Sequence, residues 1–317
     1  MKNKKLKVLI YIATSGLLIS IGMIIGINIG LSRKIPLPVK MEEKIWAMGR
    51  GKEADAIVDN FWRFVDVSYI LVGSPPDCEY YKIVSQVPRH DYVDENFYIE
   101  DGDDAMYYHG EDGSRKSLLV IDISTYQRDI DWEAVKNDGV DAVIIRVGYR
   151  GYGAEGKLVL DDMFTQHIEG AQSVGLPVGV YFFTQALNYE EGAEEAQFVL
   201  EAIKSYSVTY PVIIDTEMLD VAEARTYGQS VSDRTDAVIG FCETIKTAGY
   251  VPMVYANRNW YVQSLDMTRL GDYELWLAHY TNQTDFPYRF IGWQYTSEGQ
   301  VAGISGSVDM NVWFRQD

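Results

Sequence analysis

From Leu118 onward, short runs rich in Val, Ile and aromatic residues alternate with stretches of helical periodicity. No other feature of the chain narrows the fold as much. In such a succession each helix carries the chain back to the start of the sheet, so neighbouring strands run parallel. Strands are predicted at 118–123, 141–149, 177–183, 211–217, 251–257, 274–280, 290–296 and 307–313, and eight strands close a barrel. Helices are predicted over 160–174, 189–205, 232–248 and, more briefly, 131–136. Ser232 stands where an N-cap is wanted, and Gly175 and Gly249 follow helix ends, where a left-handed residue is favoured. The later gaps are too short for full helices. The expected fold is therefore α/β, an irregular (β/α)8-like barrel over 118–317.

The first 34 residues follow another logic. Lys2, Lys4, Lys5 and Lys7 precede an uncharged apolar run from Val8 to Leu31, and about 20 such residues cross a bilayer core as a helix. A cleaved leader has a shorter apolar region, about 7–15 residues, and a small-x-small site; no convincing one precedes Arg33 and Lys34. The heavier basic cluster lies on the N-terminal side, so residues 1–34 are expected to be a cytoplasmic tail and transmembrane anchor, with the rest of the chain outside.

Residues 35–117 are expected to form a spacer or small accessory region, mostly helical or irregular. Pro36 and Pro38 interrupt any continuous helix. Ala54, Ile57, Val58, Phe61 and Val65 then recur at helical spacing, and Ser74-Pro75-Pro76-Asp77 makes a turn. An acidic stretch from Asp91 to Asp104 is interleaved with Tyr92, Phe97, Tyr98, Tyr107 and Tyr108. Disordered acidic tails lack such aromatics, so partial order is expected. Gly110, Asp112 and Gly113 offer a turn into the first barrel strand.

A formal net charge of -18 argues against nucleic acid or anionic lipid as a partner of the soluble part, because those surfaces repel it at long range. Cys78 and Cys242 are far apart, with no metal-type spacing. The four histidines are scattered and no Gly-rich phosphate loop follows a strand, so neither a metal nor an organic cofactor is implied.

In a barrel of this type, chemistry gathers at the C-terminal strand ends. The fourth predicted strand, within Tyr-Pro-Val-Ile-Ile-Asp-Thr-Glu-Met at 210–218, ends in Asp215 and Glu217, an i, i+2 pair that an extended chain points to one side. The other ends supply Asp122, Tyr149, Tyr181, Phe183, Tyr255, Asn257, Trp276, His279, Tyr280, Trp293, Gln294 and Tyr295, with Asp309 and Asn311 on the last strand. Aromatic faces beside carboxylates and amides suit carbohydrate. Glycoside hydrolysis commonly uses two carboxyl groups, one of them protonated. An ionised Asp215 raises the pKa of a neighbouring Glu217, which makes Glu217 the acid and Asp215 the stabilising anion; the reverse assignment fits the residues equally.

LVIDISTYQRDIDW at 119–132 resembles the opening of the glycoside hydrolase family 25 muramidases. YFF at 181–183, IIDTE at 213–217, LWLAHY at 275–280, WQYT at 293–296 and VDMN at 308–311 are similar to that family's later motifs, in the same order. The resemblance implies a distorted α/β barrel acting on peptidoglycan glycan strands, cut at the β-1,4 bond after N-acetylmuramic acid. It also implies Glu217 as proton donor with Asp215, Asp122 and Asp309 as further acids. Tyr149, Tyr181, Phe183, Tyr255, Trp276, Tyr280, Trp293, Gln294 and Asn311 are the candidate substrate contacts. Arg128 departs from the pattern, standing where the family often has glycine.

Three mechanisms stay open. Retention wants carboxyls about 5–5.5 Å apart and inversion about 6.5–9.5 Å, while the substrate's own acetamido oxygen offers a third route. Two other functions are weighed. A non-catalytic glycan-binding scaffold has no need of a desolvated acid pair. A hydrolase of chitin-like polymers would carry a further Asp where this chain has Ile213.

Overall fold

A computed structural model describes residues 69–74, 77–99 and 104–314. The expected anchor at 8–31 and the apolar stripe from Ala54 to Val65 lie outside them. Among the described residues no helix is long and apolar enough to cross a membrane. The chain divides into two compact units, Met1–Ile83 and Val84–Asp317.

Within the first unit, β1 (Tyr69–Ser74) and β2 (Asp77–Lys82) pair antiparallel, with Ser74 opposite Asp77. The Ser-Pro-Pro-Asp sequence thus links a hairpin, because neither proline need supply a ladder donor there. This part of the expected helical or irregular spacer is β-structure.

The second unit opens with an irregular stretch from Val84, including a 3-10 turn at Asp94–Asn96, and a small antiparallel pair, β3 (Phe97–Ile99) and β4 (Met106–Tyr108). The turn expected at 110–113 forms, with Gly113 at φ 72°. Eight strands then close a barrel in the order β5 (Ser117–Ile123), β6 (Ala142–Arg150), β8 (Val178–Phe183), β9 (Val212–Asp215), β10 (Pro252–Asn257), β11 (Glu274–Ala278), β12 (Gly292–Gly299) and β13 (Val308–Phe314). A short β7 (Leu158–Leu160) adds antiparallel to β6.

Every pairing from β5 round to β12 is parallel, whereas β13 runs antiparallel to both β12 and β5. The link at 300–307 is shorter than the dozen or so residues that a parallel crossover needs. β9 also stops at Asp215, leaving Glu217 on the loop beyond.

Five helices lie between the strands: α1 (Trp132–Asn137), α2 (Phe164–Ser173), α3 (Tyr189–Ile203), α4 (Val231–Thr247) and the short α5 (Arg258–Ser264). The cap of α4 is Ser230, whose hydroxyl accepts from Asp233 N at 3.1 Å. The expected Ser232 already lies inside the helix. Gly175 and Gly249 take φ of 76° and 89°, as their C-terminal positions require. α3 and α4 pack almost backbone to backbone. A Cβ on Gly192 would meet the Ala237 carbonyl oxygen at 1.9 Å, and one on Gly240 would meet that of Tyr189 at 2.1 Å. Cys242, on α4, is a buried free thiol.

Among the described residues no helix covers the outer face of β12 and β13, and residues 84–99 and 104–116 pack there. Phe97 packs edge-on against Trp293 with centroids 5.0 Å apart, and Tyr92 stacks on Phe314 at 4.0 Å. The Tyr92 hydroxyl donates to Phe290 O at 2.7 Å, and Met106 N donates to the Tyr295 hydroxyl at 2.9 Å. Burying a large apolar side chain is worth about 1.5–3 kcal/mol, so this covering stabilises the barrel as a helix would. The expected boundary at 117/118 therefore falls inside one packed unit.

Inside the barrel, Val120, Ile144, Ile213, Met253, Trp276 and Trp313 form a closed core. It fills the lower barrel and leaves the upper end to polar groups. Arg128 is the non-glycine residue with a left-handed backbone among the described residues, at φ 31°. This is the position at which the resembled family often has glycine, which reaches that region without strain.

Candidate active site

Strand alternation sets what reaches the upper opening. Val120, Ile144, Ile213 and Met253 face the core, so Asp122, Arg146, Asp215 and Tyr255, two residues further along, face inward at the C-terminal ends. Asp309 arrives by the opposite route. It sits near the start of β13, and because β13 is antiparallel its residue is paired directly with Asp122. A parallel last strand would have carried Asp309 to the other end of the barrel. Asp122 and Asp215 are buried, at 4% and 6% exposure, and Asp309 and Glu217 are partly buried.

Asp122 is held by amides. Gln294 Nε2 donates to both of its carboxyl oxygens, at 3.1 and 2.9 Å, and Asn311 Nδ2 donates to Oδ2 at 2.8 Å. Asn311 is itself saturated, giving its second proton to Val120 O at 3.0 Å and accepting Trp276 Nε1 at 2.7 Å. Gln294 Oε1 accepts the hydroxyls of Tyr255 at 2.8 Å and Tyr280 at 3.0 Å. Because Gln294 spends its nitrogen on Asp122, its oxygen must face the tyrosines.

Burial raises all four carboxyl groups, and repulsion adds to it at Asp122, Asp215 and Glu217. Asp122 and Asp215 are pushed well above the usual carboxylate range, first by desolvation. Asp309 adds to the push on Asp122, and Glu217 to that on Asp215. Glu217 is raised by burial, while the Tyr255 hydroxyl draws it down and Asp309 raises it further. Burial brings Asp309 to about 6. The expected push of Asp215 on Glu217 is thus carried by Asp309 instead, and the repulsion of the adjacent pair falls on Asp215, the deeper member. Four acids that cannot all ionise together hold protons near neutral pH.

The aromatic candidates divide. Tyr280 and Tyr149 are exposed, at 59% and 36%, Phe183 and Tyr181 are half-buried, and Tyr255 lines the opening through its hydroxyl. Trp276 is closed into the core beneath Tyr255, with centroids 4.5 Å apart, and acts on the site by fixing Asn311. Trp293 points outward into the cluster with Phe97, since Gln294, its neighbour along the strand, takes the inward position. Gln294 and Asn311, at 2% and 0% exposure, orient Asp122 and are shielded from a ligand. His279 bonds Thr284 Oγ1 through Nδ1 at 2.8 Å.

Arg146 is a site residue beyond the expected set. Its guanidinium pairs with Asp161 through Nε and Nη2, each at 2.7 Å, and its charge draws the Asp215 carboxyl down. Asp161 also accepts from Thr125 N at 3.1 Å and Met163 N at 2.9 Å, so the arginine is anchored. The Tyr126 and Tyr149 rings lie 5.4 and 5.8 Å from it. The sequence carried a signal: an arginine inside Ala-Val-Ile-Ile-Arg-Val is a charge in a buried strand, which demands a partner.

A cavity of about 230 Å³ opens beside this centre, with Glu217 in its wall. Ile213 is fully buried in the core, so an apolar residue occupies the place where a chitinase pattern needs an acid.

Known proteins share this chain's features. It is 30% identical over 192 residues to the autolytic lysozyme of Clostridium acetobutylicum, covering 60% of this chain and 54% of the relative. With lysozyme M1 of Streptomyces globisporus it shares 27% identity over 207 residues, 60% of this chain and 66% of that one. The solved structure of the modular autolysin LytC from Streptococcus pneumoniae superposes with a TM-score of 0.57 at 27% identity, over 78% of this chain and 61% of the autolysin. The chain spans just over half to about two-thirds of the length of these relatives. Residues 121–304 match the family described as Glycosyl hydrolases family 25, more than half of the 317-residue chain, and the chain belongs to that family.

Proposed function

We propose that the protein is a membrane-anchored peptidoglycan hydrolase. It cleaves the β-1,4 bond between N-acetylmuramic acid and N-acetylglucosamine, with Glu217 as general acid and Asp215 as stabilising carboxylate. The observation that carries this reading is the state of Asp215: its Oδ1 is buried without a hydrogen-bond partner, two residues from Glu217, which burial raises above its ordinary carboxylate range. A buried acceptor without a partner is costly, and a substrate N–H that reaches it as the site adjusts to the sugar discharges that cost.

The geometry favours the substrate-assisted route. Glu217 gives its proton to the glycosidic oxygen as the bond to the anomeric carbon breaks. The acetamido carbonyl oxygen bonds to that carbon from the opposite face, while Asp215 Oδ1 accepts the acetamido N–H and balances the cation. Water, deprotonated by Glu217, then opens the ring intermediate. Asp122, clamped by three amide contacts, holds one wall of the site in a fixed geometry.

Residues 8–31 serve as the anchor in this reading, with the N-terminus in the cytoplasm and the barrel outside. Tethering confines cutting to wall near the membrane. Membrane fractionation with protease protection tests the topology. Catalysis is tested by incubating the protein with purified peptidoglycan and identifying the new reducing ends. N-acetylmuramic acid ends are expected; N-acetylglucosamine ends, or binding without cleavage, refute the proposal. Glu217→Gln should lower turnover by about 10²–10⁴-fold while leaving the thermal midpoint nearly unchanged.

A further inference from the structure

We propose that Arg225, held by Glu191, is the positioning residue of the loop that carries Glu217, setting where the acid meets its substrate without itself touching the sugar. The inference rests on Glu217 being the proton donor. β9 ends at Asp215, and the chain from Thr216 to Ser230 forms neither strand nor helix before α4 begins. A general acid has to lie within hydrogen-bond reach of the oxygen it protonates, so groups outside this loop must hold it in place. Its near end is fixed to the barrel, where Thr216 N donates to Tyr255 O at 3.0 Å and Trp260 Nε1 donates to Thr216 Oγ1 at 3.0 Å. Residues 218–223 are half-buried or exposed, and Ala224 is buried again. The far anchor begins there.

Arg225 N donates to Tyr152 O at 2.8 Å, and Nη2 donates to Glu191 Oε1 at 2.7 Å. Glu191 is fixed because it also serves the start of α3: its Oε2 accepts Leu187 N at 2.9 Å, while its own N donates to Asn188 Oδ1 at 3.0 Å. Burial opposes ionisation of Glu191, but the Leu187 N–H and Arg225 outweigh it and hold the carboxyl below its ordinary value. α3 is tied in turn to β6 by Arg150, whose Nε donates to Glu195 Oε1 and Nη2 to Glu194 Oε2, each at 2.7 Å. A path of charge-assisted bonds thus runs from a barrel strand through α3 to the acid loop. Thr226 and Tyr227 reach the wall of the cavity beside Glu217, and Arg225 does not. Its guanidinium lies against Gly156 instead, where a Cβ would fall 1.9 Å from Nη1.

For stability alone, arginine is a poor choice here. Its side chain is 9% exposed, yet Nε and Nη1 are buried without hydrogen-bond partners, and open buried donors are costly. An apolar side chain of similar length would fill the space without that cost. What the charge adds is a directed bond to Glu191, and that bond fixes the loop.

The test compares wild type, Arg225→Met, Arg225→Lys and Glu217→Gln on purified peptidoglycan and on a nitrophenyl glycoside of N-acetylmuramic acid, whose leaving group departs without a proton. A displaced acid slows the substrate that needs protonation. Arg225→Met should lower kcat/KM on peptidoglycan by about 10- to 100-fold and on the nitrophenyl glycoside by less than about threefold, with the thermal midpoint unchanged or raised. Arg225→Lys should recover most of the loss, because one N–H is enough to reach Glu191. Equal losses on both substrates, a loss that lysine does not relieve, or no loss at all overturn the inference. Glu217→Gln separates this from the assignment of the acid. If it spares the nitrophenyl glycoside and Arg225→Met does not, the positioning role alone fails; if it slows both substrates alike, the acid itself is misassigned. Hydrogen exchange gives a readout independent of turnover. The amides of Thr216, Ala224 and Tyr227, all hydrogen-bonded in the structure, should exchange about three- to tenfold faster in Arg225→Met, with those of β9 and α3 unchanged. Unaltered exchange refutes the anchoring even in a protein that cleaves nothing.

Discussion

The two sides of the barrel solve one problem differently. From β6 round to β10 the strands are parallel and coated by helices, with α3 and α4 locked together through Gly192 and Gly240. At β12 and β13 the strands are antiparallel, and the coat is an aromatic layer supplied by residues 84–99 and 104–116, sequence that precedes the barrel. Both sides feed the acid centre: Asp215 and Glu217 come from the first and Asp309 from the second, set against Asp122 on β5 where the two sides meet. The difference teaches that the mouth requires inward-facing positions at one end and is indifferent to how the outer face is covered or which way a strand runs.

The largest test of this equivalence is deletion of residues 84–116. If the aromatic layer does a helix's work, uncovering Phe290, Trp293 and Phe314 costs upwards of about 5 kcal/mol, comparable with a domain's whole stability. The shortened protein should be insoluble or show no cooperative unfolding transition; a well-folded one would reduce residues 84–116 to decoration. On the helical side, Gly240→Ala drives a methyl into the Tyr189 carbonyl oxygen and should lose about 1–3 kcal/mol, read as a lower urea midpoint with unchanged slope.

A smaller effect of opposite sign is expected at Asp309. Its pKa of about 6 lies above the ordinary carboxylate value of 3.8, so the folded state holds this proton more tightly than the unfolded chain does. Stability is then lost as pH rises from about 4 through 6. Asp309→Asn, which does not titrate, should be more stable than wild type by about 1–2 kcal/mol at pH 7.5, the gap closing below pH 4. Equal midpoints at both pH values would show that Asp309 is not strained. The smallest change expected is at Arg128, where glycine relieves the left-handed backbone and should stabilise by up to about 1 kcal/mol by thermal unfolding.

Much of this was legible because it is local. The eight strand runs, the helices at 189–205 and 232–248, and the Asp215–Glu217 pair follow from period, apolar content and turn residues within a few positions. Some misreadings were local too. Ser230 precedes Ser232 by two residues and caps the same helix equally well, so residue type does not separate them. Trp293 reads as a mouth aromatic until Gln294 is seen to take the inward face. Arg146 hides within a strand run whose signal is its apolar residues, although a charge buried in such a run demands a partner.

The sequence by itself determined the barrel from Leu118, the identity of the four acids and the family to which the chain belongs, because periodicity and motif spacing are properties of contiguous residues. Only the tertiary structure decided that β13 turns back to set Asp309 against Asp122, that residues 84–99 and 104–116 complete the coat, that Asp161 anchors Arg146 near Asp215, and that Asp215 Oδ1 is left without a hydrogen-bond partner. Side-chain alternation looks the same whichever way a strand runs. Pairings between residues far apart in the chain are fixed when the barrel closes and burial selects which groups share one low-dielectric space.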